Sequence, residues 1–297
     1  MSSLLPWFHD QVEPVARRIA VRAAELEPAD AQRAYLVKVS RQIVKSGSYR
    51  SDLPQGATGE ELSATLTWFQ ILDEELEAYV AGDRSPADLI ARGGGRLWAV
   101  FQAHEPICAA WARGAARAVA PRVAGRRVLE LGAGTGGTTR LLAQALRRCH
   151  ELLVSDVRQS FLDRIAAGLP GVPVTTAIVD VDDPDPSLGP FDVVYATNCL
   201  HISRDVDAAL ARLRELLRPG GTLVLGEGSH YSKTTPSPLS LVLSLFDGWW
   251  DAPRRRPGFL QPGQWLQSLR GAGYAPASAQ TWSDGAREFG GVYTAYA

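Results

Sequence analysis

The sequence predicts an α/β fold, a doubly wound sheet of seven strands preceded by a helical region, on three observations. From Arg127 onward short apolar runs alternate with helical segments, a glycine-rich stretch directly follows the first of those runs, and the residues before it carry apolar side chains at helical spacing. Strands that alternate with helices pair in parallel, and each crossover helix covers one face of the sheet.

Taken in order, Leu36, Val39 and Ile43 recur at helical spacing. Leu62, Leu66, Phe69, Leu72, Leu76 and Tyr79 continue a longer stripe behind a capping box at Thr58 and Glu61. Ser85 and Pro86 supply an N-cap and a first-turn proline for another short helix, and Gly93, Gly94 and Gly95 break its pattern as a hinge. Ile107, Trp111 and Ala115 share one face of the helix that leads into the sheet. Strands are expected at 128–131, 152–155, 174–179, 191–197 and 222–228. Between the last two, Asp205 to Arg218 reads as a helix whose buried stripe is Val206, Leu210, Leu213 and Leu217, stopped by Pro219, Gly220 and Gly221. A helical stretch at 264–269 precedes two strand-like pieces near 275–282 and 290–296, which predict an antiparallel hairpin on the sheet edge. The division expected is a helical lid or substrate region over 1–95 and the α/β domain over 96–297, with 239–262 as an inserted, lid-like segment.

Composition narrows the function classes. With 297 residues, 45% hydrophobic and 21% charged, the chain has the make-up of a globular protein with a sizeable core. Its 31 basic and 32 acidic residues leave a net charge of −1, so nothing draws the whole chain to nucleic acid or to anionic lipid, and neither is expected as a partner. No apolar run approaches the roughly 18 residues of a spanning helix. Cys108, Cys149 and Cys199 have no metal-ligand spacing and read as reduced thiols of a cytoplasmic protein, with no metal expected. The scarcity of lysine beside abundant Ala, Gly and Arg reflects a GC-rich bacterial coding sequence.

The chemistry begins at Glu130-Leu-Gly-Ala-Gly-Thr-Gly-Gly137, which follows a strand and opens a helix. There glycines let backbone approach a nucleotide-like ligand closely. The spacing alone is ambiguous: Gly132, Gly134 and Gly137 fit a dinucleotide fingerprint, whereas Glu130, Gly132, Gly134 and Gly136 fit a loop for S-adenosylmethionine. Asp156, at the end of the second strand, is placed to accept the ribose hydroxyls of either cofactor.

Asp180-Val181 after the third strand, the tract LRPGG and the closing hairpin favour S-adenosylmethionine, and here the chain resembles class I methyltransferases. VLELGAGTGGTT, FDVVYATNCLH and LRPGGTLVLGEGS are most similar to the C-methyltransferase domains embedded in polyketide synthases. The likeness extends from about residue 75 to 297 and includes Tyr79 to Gly82, Trp98, Glu105-Pro106 and the Gly248-Trp249-Trp250 segment; residues 1–75 carry no pattern of that family. The resemblance implies a Rossmann-like methyltransferase sheet and S-adenosylmethionine as cofactor. It places Glu130, Gly132, Gly134 and Gly136 around the methionine moiety, Asp156 on the ribose, Asp180 and Val181 at the adenine, and Asn198 among the cofactor contacts.

Methylation of carbon needs a proton removed beside a carbonyl, hence a base. His201 falls just after the fourth strand and Glu227 at the end of the fifth, so both belong to the carboxyl edge of the sheet, where ligands of open α/β folds sit. An imidazole suits general-base work, and a carboxylate on its other nitrogen fixes the tautomer. The resemblance implies the same roles. Trp249, Trp250 and His230 are candidate substrate contacts. The helices to about residue 95, with 239–250, are expected to roof an apolar cleft for an acyl substrate activated between two carbonyls, either a free small molecule or a chain tethered to a carrier protein. Cys199 reads as a small buried thiol. Arg254 to Arg256 read as an exposed loop, with carrier docking the alternative, and Arg126-Arg127 as a solvated strand entry. The competing functions are O- or N-methylation of a natural product, a NAD-dependent oxidoreductase on the same type of sheet, and a non-methylating protein that keeps the fold.

Overall fold

The computed structural model describes residues 8–49, 60–242, 245, 259–284 and 287–297. The chain divides into two compact units. One comprises Met1–Pro106, His230–Pro253 and Asp284–Arg287; the other comprises Ile107–Ser229, Arg254–Ser283 and Glu288–Ala297.

The first unit is helical. A π-helical turn at Phe8–Val12 runs into α1 (Glu13–Ala24), followed by α2 (Ala31–Ser46), α3 (Glu60–Glu74), α4 (Leu76–Ala81) and α5 (Pro86–His104). Ala16, Ile19, Ala20 and Ala23 form the buried stripe of α1. The Asp30 side chain accepts the backbone N–H of Arg33 at 3.0 Å and starts α2, which stops on the left-handed Gly47. Ser85 and Asp88 form a reciprocal capping box at α5. The expected glycine hinge is a kink inside this helix: Gly94 adopts φ 72° and ψ 149°, and helix resumes beyond it. The capping box predicted at Thr58 lies outside the described residues.

Distant segments close this unit. Arg287 pairs with the fully buried Glu13 at 3.1 Å, donates to the carbonyl of Ser48 at 2.5 Å, and lies 5.6 Å from the Tyr231 ring centroid. Tyr231 packs on Tyr49, whose hydroxyl donates to the Pro236 carbonyl at 2.6 Å.

The second unit is the α/β sheet. After α6 (Pro106–Val119) come β1 (Arg127–Leu131), α7 (Gly137–Leu146), β2 (Glu151–Asp156), α8 (Gln159–Ala167), β3 (Val174–Ile178) and β4 (Phe191–Thr197). They are followed by α9 (Val206–Glu215), β5 (Leu217–Gly228), α10 (Pro262–Gly271), β6 (Ala277–Asp284) and β7 (Arg287–Tyr296). The strand order is β3-β2-β1-β4-β5-β7-β6, parallel from β3 to β5, with β7 antiparallel to β5. Successive residues feed opposite faces, as the pleat requires. Leu129, Val194 and Leu225 join Leu210, Leu213 and Trp265 in one core, while Val128, Tyr195 and Val224 join Ala115, Leu142 and Leu162 in the other.

One boundary differs from expectation. Leu217 opens β5, paired with Phe191 in register, instead of closing the stripe of α9; the helix ends at Glu215 and strand pairing claims the next residues. Strand order reverses at β1, which lies between β2 and β4, so the crevice at their carboxyl ends is the place where this architecture accommodates a ligand. Among the described residues no helix is long and apolar enough to cross a membrane.

Candidate active site

The loop between β1 and α7 turns on left-handed glycines: Gly132, Gly134 and Gly136 have φ of 63°, 55° and 77°. At Gly132 a Cβ would stand 2.2 Å from the Sγ of Cys199, so the loop can lie against the turn after β4 only with glycine there. At Gly134 a Cβ would meet no described atom within 4 Å. The backbone N–H of Gly134 donates to Asp156 Oδ2 at 2.8 Å and that of Arg158 to Oδ1 at 2.9 Å. Each oxygen keeps a second lone pair, so Asp156 is oriented by backbone and still able to accept hydroxyls. A loop with open backbone beside an oriented carboxylate at the strand switch suits the sugar end of a nucleoside cofactor.

Glu130 is buried beneath that loop. Its Oε2 accepts the Thr139 hydroxyl at 2.7 Å and the Tyr195 hydroxyl at 2.9 Å. Burial pushes its carboxyl up to about 7, against the opposing pull of the two hydroxyls. An unfolded glutamate ionises near 4.5. Between pH 4.5 and 7 the unfolded chain therefore loses its proton first, and stability falls as pH rises through that window. By pH 8 the cost is on the order of 3 kcal/mol. Glu130→Gln retains an acceptor for both hydroxyls without the charge. Its denaturation midpoint is expected to match the parent protein near pH 4 and exceed it at pH 8; equal midpoints at pH 8 would show that the carboxylate ionises in place without penalty.

His201 and Glu227 meet. Glu227, at the end of β5 and fully buried, accepts the backbone N–H groups of Cys199 and Leu200 on Oε1 at 2.9 and 2.7 Å, and its Oε2 lies 2.9 Å from His201 Nδ1. A carboxylate presents an acceptor to the ring, so Nδ1–H is the donor of this contact, and in the neutral imidazole of that tautomer Nε2 is the acceptor nitrogen. The Phe259 ring lies 4.8 Å from the imidazole, and Trp111 lies 6.0 Å from Phe259 on its way to the Phe289 carbonyl. These neighbours make the surroundings apolar. Cys199 is buried, and burial, with the Glu227 carboxylate beside it, pushes its thiol well up, which disfavours the thiolate.

The remaining candidates are distributed unevenly. Asp180 is exposed just after β3, its Oδ1 accepting the Asp182 N–H at 2.9 Å, and Val181 is buried beside it. Asn198 holds the left-handed φ of 53° that turns the chain after β4, with its N–H on the Gly226 carbonyl at 2.7 Å. His230 belongs to the helical unit, where burial lowers its imidazole to about 4. Trp249, Trp250 and Arg254 to Arg256 lie outside the described residues. Sequence reasoning missed Thr139 and Tyr195, which complete the Glu130 site, and Phe259, which covers the imidazole; none of the three carries a local signal beyond strand, helix or apolar character.

Residues 129–223, from β1 into β5, match the family model described as a methyltransferase domain. The chain carries a class I methyltransferase domain. It is 38% identical over 202 residues to the polyketide synthase ThaG of Burkholderia thailandensis, covering 61% of this chain and 4% of that protein. It is 37% identical over 132 residues to the polyketide methyltransferase ustM of Ustilaginoidea virens, covering 41% of this chain and 29% of that one. The chain thus spans a minor part of the length of these relatives. In fold it is similar to the CurJ carbon methyltransferase, with a TM-score of 0.80, 20% identity, and coverage of 100% of this chain and 94% of the other. S-adenosylmethionine is the cofactor of this methyltransferase class, and the glycine loop with Asp156 fits it.

Proposed function

We propose that this methyltransferase domain alkylates an activated carbon, flanked by two carbonyls, on a polyketide-type acyl chain held by a carrier protein or on a free compound of that kind. His201 acts as the base and Glu227 as its orienting partner. The observation that supports this reading best is the 2.9 Å contact between His201 Nδ1 and Glu227 Oε2, with the other carboxylate oxygen locked by two backbone donors. With the proton on Nδ1, the neutral imidazole would offer Nε2 as the proton acceptor, at the carboxyl edge of the sheet where β4 and β5 end.

When bound, S-adenosylmethionine supplies an electrophilic methyl group. Glu130 and the loop Gly132, Gly134 and Gly136 hold its methionine end, Asp156 its ribose, and Asp180, Val181 and Asn198 complete the cofactor contacts. His201 Nε2 would take the proton from the substrate carbon, and the electron pair left there would form the new carbon–methyl bond as the methyl–sulfur bond of the cofactor breaks, its electron pair staying on the sulfur of the departing S-adenosylhomocysteine. The imidazolium is stabilised by the Glu227 carboxylate and the proton then passes to solvent. Positioned proton transfer of this kind contributes about a hundredfold to ten-thousandfold.

Asp156→Ala is expected to weaken cofactor binding tenfold or more, since a charge-assisted hydrogen bond contributes about 1.5 to 3 kcal/mol. Titration calorimetry on a folded variant checks this, and unchanged affinity would remove Asp156 from the cofactor site. The activity itself is tested with methyl-labelled cofactor and either a β-ketoacyl carrier protein or its short thioester mimic, the label being located by fragmentation. Label on the carbon between the carbonyls is expected. Label on oxygen or nitrogen would transfer the assignment to O- or N-methylation.

A further inference from the structure

We propose that Asp182 is a positioning residue for His201, tying the turn that carries the imidazole to the loop that follows β3. The proposal rests on the reading of His201 as base, and it concerns how that side chain is held. His201 sits in a single 3-10 turn, Leu200–Ile202, whose internal support is two i to i+3 hydrogen bonds, Ile202 N–H to the Cys199 carbonyl and Ser203 N–H to the Leu200 carbonyl, each 3.1 Å. So short a turn has little stability of its own. Two carboxylates from outside it grip its two ends.

At the leading end, Glu227 accepts the N–H groups of Cys199 and Leu200. At the trailing end, Asp182 Oδ1 accepts the hydroxyl of the fully buried Ser203 at 2.5 Å and the Arg204 N–H at 2.9 Å, with Oδ2 3.0 Å from the same N–H. Asp182 is itself anchored on both sides. Its N–H donates to Asp180 Oδ1, and its carbonyl accepts from the Arg212 guanidinium of α9. The geometry explains why the second grip matters. A ring is oriented by two points: Glu227 fixes Nδ1, and the backbone of the turn fixes the Cα from which the ring hangs. If the trailing end drifts, the contact to Glu227 can persist while Nε2 swings away from its working direction. A misplacement of about 1 Å at a reacting centre costs on the order of a hundredfold in rate.

The location of Asp182 adds a consequence. It follows Asp180 and Val181 in the chain, the residues assigned above to the cofactor, so a ligand that orders this loop also steadies the base. The coupling has a physical carrier, a run of direct hydrogen bonds from Asp180 through Asp182 to Ser203 and Arg204.

The test uses the full chain with 15N-labelled histidine and reads the solvent-exchange rate of the His201 Nδ1 proton, assigned by its loss in His201→Ala. Asp182→Asn and the milder Ser203→Ala are compared with Asp183→Asn, a control at the exposed neighbour. Exchange is expected to rise tenfold or more in Asp182→Asn, to a lesser degree in Ser203→Ala, and not in the control. Saturating S-adenosylhomocysteine should slow exchange in the parent protein more than in Asp182→Asn. In turnover, kcat should fall tenfold or more while KM for the cofactor stays within about threefold. Unchanged exchange in both folded variants overturns the proposal. If exchange rises as expected but His201→Ala still methylates normally, positioning by Asp182 stands and the assignment of His201 as base fails.

Discussion

His201→Ala is expected to bind S-adenosylmethionine with an affinity within about twofold of the parent protein while methyl transfer falls a hundredfold or more. The separation follows from the assigned roles, because the imidazole pairs with Glu227 and packs on Phe259, whereas Asp156 is oriented by the Gly134 and Arg158 N–H groups. Glu227→Gln sharpens the test. Its carbonyl oxygen must face the N–H groups of Cys199 and Leu200, which turns the amide NH2 toward His201 Nδ1. Nδ1 then has to accept, the ring proton moves to Nε2, and the base is lost although the ring remains. The expected loss is therefore close to that of removing the imidazole, the behaviour of a wrong tautomer. Calorimetry and single-turnover transfer of labelled methyl measure the two quantities separately, and normal transfer by folded His201→Ala would place the base elsewhere.

The largest expected effect on stability is at Gly290, far from any cofactor residue in sequence. It opens the part of β7 that pairs with the end of β5, opposite Gly228, at φ 126°. A Cβ there would stand 2.2 Å from the Glu227 carbonyl oxygen and 2.6 Å from the Trp111 indole nitrogen. One of those neighbours is backbone and the other is a buried tryptophan bonded to the Phe289 carbonyl, so neither gives way cheaply. Gly290→Ala should cost more than about 3 kcal/mol, which for a unit of this size lowers the melting temperature on the order of 10 °C. Gly125→Ala is the control. Gly125 is also left-handed, at φ 68°, but a Cβ there meets nothing within 4 Å, so its cost should be only the conformational part, about 1 to 2 kcal/mol. Equal melting temperatures for the two variants would mean that the strand shifts to admit the methyl group.

Much of the sheet was legible because buried strands between crossover helices read as short apolar runs: VLEL, LLVS, VTTAIV, FDVVYAT and TLVLGEG locate the five parallel strands, although β3 ends at Ile178 and β5 already begins at Leu217. The end of α9 was not, since Leu217 satisfies a helical stripe and a strand pairing equally well and only the partner Phe191 decides. At the site, placing His201 and Glu227 at ends of adjacent strands sufficed to bring them together, because parallel strands end on one edge. The second task of Glu227, capping the turn with its other oxygen, has no local signature. Nor do Tyr195 and Thr139, which look like ordinary strand and helix residues until the fold points both hydroxyls at Glu130. Phe259 reaches the imidazole across a long stretch of chain, a contact that periodicity cannot report.

The ion pair between Glu13 and Arg287 has a consequence for the order in which the molecule is made. Synthesis proceeds from the N-terminus, so the helices bearing Ile19, Leu36 and Phe69 emerge early, yet Ser48 must wait for a partner 239 residues downstream. Until then the acid at Glu13 lacks the guanidinium that accompanies it inside the finished protein. Such non-local closure is slow, and the apolar helix faces stay available to wrong partners meanwhile. A fragment cut after α5 would leave these helices without Arg287, Tyr231 and Pro236, and would accumulate as a sticky intermediate instead of an autonomous module.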